Sequence, residues 1–141
     1  MTNPLTILVV DDDEVDQEAV RRAILAARIN CPIVTASDGI EALSLLRGGQ
    51  GRGPITMPYL ILLDLNMPRM DGFEFLRELR QDPIHGAALV FVLTTSSRDQ
   101  DMIRSYDYHV AGYVTKAAAA ADISLLAKLI DAYRRLVAFP V

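Results

Sequence analysis

Five short, mostly apolar runs constrain this chain more than any other feature: Leu5–Val10, Ile33–Ala36, Tyr59–Leu63, Leu89–Leu93 and Gly112–Thr115. They are too short for helices and, in LTILVV and YLILL, nearly continuous in apolarity. Such runs read as strands buried on both faces, the pattern of a parallel sheet. Between them lie segments with helical spacing. Val15, Ala19, Ala23 and Ala27 form one stripe, Ala42, Leu45 and Leu46 a second, Phe75, Leu76 and Leu79 a third, and the last lies beyond Ala121.

Start signals agree with that division. Asp38 precedes Glu41 by three residues and Asp71 precedes Glu74 by three, each resembling a capping box with aspartate as the cap. The segment Gly48–Gly53 (GGQGRG) cannot continue a helix and reads as a long mobile connection into the third strand. Strand and helix thus alternate five times. This implies an α/β fold: a doubly wound five-stranded parallel sheet with helices on both faces and right-handed crossovers. The flavodoxin-like strand order 2-1-3-4-5 is the common five-stranded solution, and its ligand site lies at the carboxyl ends of strands 1 and 3.

Both of those ends are acidic. Asp11 and Asp12 follow the first strand, and Asp64 follows the third. Three carboxylates brought to one rim would repel and raise one another's pKa values unless a cation lay between them. Magnesium suits the set, because it takes oxygen ligands and retains several waters. The backbone carbonyl of Asn66, two residues beyond Asp64, is the natural further ligand. The fourth strand ends in Thr94 and the fifth near Lys116, at the same rim. Metal, hydroxyl and ammonium could then each take one oxygen of a phosphoryl group on Asp64.

At these residues the sequence resembles the receiver domain of two-component response regulators. The likeness is carried by VVDD (Val9–Asp12), LLDLNMPRMDG (Leu62–Gly72), VLTTS (Val92–Ser96) and GYVTK (Gly112–Lys116), in that order. It implies that Asp64 accepts a phosphoryl group from the phosphohistidine of a sensor histidine kinase. It also implies that Asp11, Asp12, Asp64 and the Asn66 carbonyl surround Mg²⁺, and that Thr94 and Lys116 contact the phosphoryl group. Thr94 and Tyr113 would be the switch residues, Thr94 moving toward the phosphoryl group and the aromatic Tyr113 turning inward, reshaping the surface of the fourth helix, fifth strand and last helix. SYDYHV (Ser105–Val110), YVTK and the glycine-rich connection are similar to stand-alone regulators that partner phytochrome-type histidine kinases. One departure is Ala117, where most of the family has proline. A cis bond before alanine costs about 2.5–4 kcal/mol, so a trans Lys116–Ala117 bond is expected.

The expected organisation is a single receiver domain over residues 1–141, with a core of 5–136, a tail of 137–141 and no output domain. Its chemistry would be confined to its own phosphotransfer and slow autodephosphorylation, so it is not read as an enzyme. A haloacid-dehalogenase-like phosphatase would need a second acidic residue two positions after the nucleophile, where Asn66 stands. A pseudo-receiver scaffold, never phosphorylated, would not need the full set of Asp11, Asp12, Asp64, Thr94 and Lys116.

The last helix carries two apolar stripes: Ile123, Leu126, Ile130, Tyr133 and Val137, and Leu125, Leu129, Ala132, Leu136 and Phe139. A covering helix needs one, and an exposed second stripe marks an interface. A homodimer through the fourth helix, fifth strand and last helix is expected, with Leu125, Leu129, Leu136 and Phe139 at the contact and Phe139–Val141 reaching across. The alternative is a tail folded over its own stripe. The same face could dock the kinase or a downstream phosphotransfer protein. Net charge is −4 without a basic cluster, which argues against nucleic acid. No run approaches a membrane span, no secretory signal precedes the first strand, and the lone Cys31 suits a reducing cytoplasm.

Overall fold

The computed structural model describes residues 4–49 and 54–139. Within them the order is β1 (Thr6–Val10), α1 (Glu14–Ala26), β2 (Ile33–Ala36), α2 (Gly39–Arg47), β3 (Tyr59–Leu63), α3 (Gly72–Gln81), β4 (Leu89–Thr94), α4 (Asp99–Asp107), β5 (Gly112–Thr115), α5 (Lys116–Ala121) and α6 (Ile123–Leu136). The strands form one parallel sheet in the order β2-β1-β3-β4-β5. This is the doubly wound, flavodoxin-like architecture that the alternation implies.

Side chains of successive strand residues point to opposite faces, and the core divides accordingly. Leu8, Val10, Ile61, Leu63, Val90 and Val92 pack under α2 and α3, against Leu46, Phe75, Leu76 and Leu79. Ile7, Val9, Leu60, Leu62, Phe91 and Leu93 pack under α1 and α6, against Val20, Ile24, Leu126 and Ile130. Cys31 is buried in this second cluster. Arg80, half-buried at the end of α3, donates to the carbonyls of Gly86, Ala88, Tyr108 and His109, so one guanidinium ties the loops on either side of β4 and α4 together.

Three local features differ from the sequence reading. On α1 the buried positions are Val20, Ala23 and Ile24, while Val15, Ala19 and Ala27 face solvent. Only Ala23 of the expected stripe turns inward, because the larger Val20 and Ile24 remove more apolar surface from water than the alanines would. Between β5 and the last helix the chain forms a separate short helix, α5. Alanine is the strongest helix former, Thr115 caps Ala118, and Asp122 ends the run and caps α6 through Ser124. At α2 the Glu41 carboxylate accepts from Ser37, not from the Asp38 cap, so the reciprocal box is complete only at Asp71–Glu74.

Gly48 closes α2 in the left-handed region (φ 78°), where a side chain would be strained. The connection expected over Gly48–Gly53 continues through residues 50–53, which lie outside the described residues, as do Pro140 and Val141 of the expected tail. The cis peptide bond among the described residues is Met57–Pro58, and Lys116–Ala117 is trans. No described helix is long and apolar enough to cross a membrane.

Candidate functional site

Sheet register builds the site. Val10 pairs with Leu63, so the next residues, Asp11 and Asp64, leave adjacent strands at one level. The N–H of Asp64 donates to the Val10 carbonyl (2.9 Å) and that of Asp11 to the Ala36 carbonyl (2.9 Å), extending the ladder one residue into the rim. Thr94 pairs with Thr115, which brings Lys116 to the same edge.

Asp11 and Asp64 are buried and Asp12 is exposed; one carboxylate oxygen from each lies within 4.8 Å of the others. The N–H of Asn66 donates to Asp64 Oδ1 (3.3 Å), fixing that peptide beside the carboxylate. Lys116 Nζ lies 2.8 Å from Asp11 Oδ2, 3.2 Å from Asp64 Oδ2 and 2.6 Å from Asp16 Oδ2. Burial raises the Asp11 carboxyl to about 6, against the opposing pull of Lys116 and the Asp13 N–H. For Lys116, burial disfavours the ammonium, but its hydrogen bonds to Asp11 and Asp16 outweigh it and hold the group above its ordinary range.

The loop carrying Asn66 is braced from the side. Arg69, in the left-handed region at φ 62°, pairs with the buried Asp38 carboxylate, and the Gly39 N–H donates to the Met70 carbonyl (3.1 Å). Gly72 lies close enough to this turn that an added Cβ would stand 2.7 Å from the Asp64 carbonyl oxygen. The α1 side is equally fixed. Asp13 caps the helix through Val15 and Asp16, and Gln17 Nε2 donates to the Asp11 carbonyl (2.5 Å).

Thr94 is fully buried, and its hydroxyl accepts from the Ser96 N–H at 3.4 Å. Tyr113 is half-buried, with its hydroxyl donating to the Ser96 carbonyl (2.8 Å). Thus Asp11, Asp12, Asp64, Asn66 and Lys116 are gathered at one point, with Thr94 on the same rim and Tyr113 joined to its loop. Of the four residues expected at a dimer contact, Leu125 and Leu136 are exposed, whereas Leu129 and Phe139 are half-buried against the core under α1 and α6. The sequence reading gave Asp16 no role. Its position in the first turn of α1, after a strand that ends at the rim, was the available signal.

An all-oxygen donor set with net negative charge suits a hard divalent cation. Residues 7–128 match the family model of the response regulator receiver domain. The chain belongs to that family. This receiver is 35% identical over 130 residues to response regulator Rcp1 of Synechocystis sp., covering 92% of this chain and 88% of that protein. It is similar to the crystal structure of the phosphorylated cyanobacterial phytochrome response regulator RcpA (TM-score 0.85, 34% identity, 99% of this chain and 100% of that one). The Mn²⁺-bound form of Rcp1 matches equally well (TM-score 0.85, 33% identity, 99% and 100%). The three carboxylates at the receiver's rim form a group that could hold a metal ion.

Proposed function

We propose that this receiver is a phosphoacceptor of two-component signalling in the cytoplasm, and that Asp64 takes the phosphoryl group from the phosphohistidine of a sensor histidine kinase. The observation that carries this reading is the Asp64 carboxylate, with Asp11 and Asp12 within 4.8 Å and the Lys116 ammonium 3.2 Å away. Mg²⁺ would be held by Asp11, Asp12, Asp64 and the Asn66 carbonyl, and when bound it supplies positive charge against the phosphoryl oxygens. An Asp64 carboxylate oxygen forms the new O–P bond as the N–P bond to the donor imidazole breaks, and the imidazole leaves with its electron pair. Lys116 and the Thr94 hydroxyl donate to the phosphoryl oxygens, and Tyr113 follows the Ser96 loop to alter the α4–β5–α6 surface.

Acetyl phosphate with Mg²⁺ tests the reading. A hydroxylamine-labile phosphate should appear on the wild-type protein and be lost in Asp64→Asn. Its absence from the wild type would favour an unphosphorylated scaffold.

The likeness to phytochrome regulators supports a phytochrome-type kinase as the donor. Phosphotransfer profiling against purified histidine kinases tests this, and a non-phytochrome kinase as the fastest donor would refute it. Leu125 is 57% and Leu136 85% exposed on α6, and Ile103 and Tyr106 are exposed on α4, which supports a homodimer through α4, β5 and α6. Sedimentation of wild type and Leu136→Asp should show a dimer and a monomer. A wild-type monomer at micromolar concentration would refute the dimer and leave the face to a phosphotransfer protein.

A further inference from the structure

We infer that Asp16 is a positioning residue: it anchors the Lys116 ammonium so that one of its protons stays aimed at the phosphoacceptor. This rests on the phosphoacceptor reading of Asp64 and extends it to a residue outside the metal cluster.

The Lys116 side chain is mostly buried, at 16% exposed, yet it borders a groove on one side. The residue opens α5, so its charge stands at the positive end of a helix, where a cation is disfavoured. It also lines a groove of about 470 Å³ between α1 and the α5–α6 segment, whose walls include Ala19, Ala23, Ala26, Ala119 and Ala120. Methyl groups and open space border this part of the chain. Holding a long lysine stem in one rotamer costs conformational entropy. Ion contacts therefore set the direction of the ammonium.

Of its three carboxylate partners, Asp11 and Asp64 belong to the cluster suited to a divalent cation, and a bound metal would draw on their charge. Asp16 does not belong to that cluster. It is the nearest of the three at 2.6 Å, and it comes from a different element. Its own place is fixed independently, by the cap that Asp13 gives its N–H and by the bond from its neighbour Gln17 to the Asp11 carbonyl. An ammonium has three protons. Hydrogen bonds run from Nζ to Asp16 and to Asp64 while Asp11 lies at ion-pair distance, so Asp16 need not release Lys116 for the proton aimed at Asp64 to reach a phosphoryl oxygen. Asp16 thus anchors the lysine without competing for that proton.

Beryllofluoride with Mg²⁺ stands for the phosphoryl group on Asp64, and a double-mutant cycle on its affinity at saturating Mg²⁺ tests the inference. Asp16→Asn should weaken beryllofluoride binding about tenfold, the loss expected when one charge-assisted hydrogen bond no longer preorganises the donor. In a Lys116→Met background the same substitution should cause no further loss, because nothing remains to be positioned. A ¹⁵N-resolved signal from the Lys116 ammonium, slowed in exchange by its three acceptors, should weaken or vanish in Asp16→Asn while thermal unfolding stays close to wild type. Equal losses in both backgrounds would make Asp16 an independent contributor and overturn the inference. So would unchanged binding in the otherwise wild-type protein. A wild-type protein that fails to bind beryllofluoride would instead overturn the phosphoacceptor reading, and the inference with it.

Discussion

Replacing Gly72 with alanine adds one methyl where α3 meets the end of β3. The new carbon would stand 2.6 Å from Leu65 Cα and 2.7 Å from the Asp64 carbonyl oxygen. Carbon atoms at rest lie about 3.5–4.0 Å apart, so the overlap is on the order of 1 Å. Both obstacles are backbone and cannot rotate away. The first turn of α3 must recede, straining the Gly72 N–H bond to the Leu65 carbonyl (2.9 Å) and pulling on the Asp71–Glu74 box. Overpacking typically costs about 1–3 kcal/mol and a compromised buried hydrogen bond about 1 kcal/mol, which together give a loss of about 2–4 kcal/mol. Urea unfolding followed by circular dichroism at pH 7 should show the midpoint falling by about 1–2 M with the slope unchanged. Because the displaced peptide carries Asp64, Mn²⁺ affinity should fall several-fold in the same variant. A midpoint within about 0.2 M of wild type would show that α3 is not pressed on β3 as described.

Other perturbations follow from single contacts. Burial lifts Asp11 to about 6, so a proton competes with a divalent cation below that pH. Mg²⁺ affinity should be full above it and drop about tenfold per unit below it, and calorimetry at pH 7 and 5 that found equal affinities would refute this. Asp82 is pulled down to about 2 by the His85 N–H and the Arg47 guanidinium. Its folded value lies below the unfolded one of about 3.9, so its contribution is complete above that pH and lost as pH falls through 2. Asp82→Ala should destabilise by about 1–2 kcal/mol at pH 7, with the gap to wild type narrowing as pH falls from 4 toward 2 in denaturant titrations. Arg80→Ala deprives four carbonyls of a donor and should cost about 2–3 kcal/mol, with no rescue by Arg80→Lys, whose ammonium lacks the planar fork. A shift in Tm below about 3 °C would contradict it.

The strands were legible because a run such as YLILL, buried on both faces, has no other compact use. Their ends were legible too, since Asp11, Asp64 and Thr94 interrupt apolarity where the sheet meets its rim. The face of α1 was not. A stripe of alanines satisfies helical spacing, yet which face turns inward depends on Val20 and Ile24 meeting strands distant in sequence. Asp16 was hidden for the same reason, its partner lying 100 residues away. The alanines of α5 read as featureless in sequence, and their importance lies in the space they leave beside Lys116.

The Lys116 contacts also bear on how the molecule is assembled during synthesis. The carboxylates come from the first half of the chain, and the cation that offsets them arrives with α5, after every strand of the sheet. A nascent polypeptide that has emerged only as far as β4 would already bear the mutually repelling acids without the Lys116 ammonium that contacts Asp11 and Asp64 in the fold. Docking of the final strand and of α5 is therefore rewarded electrostatically as well as by burial.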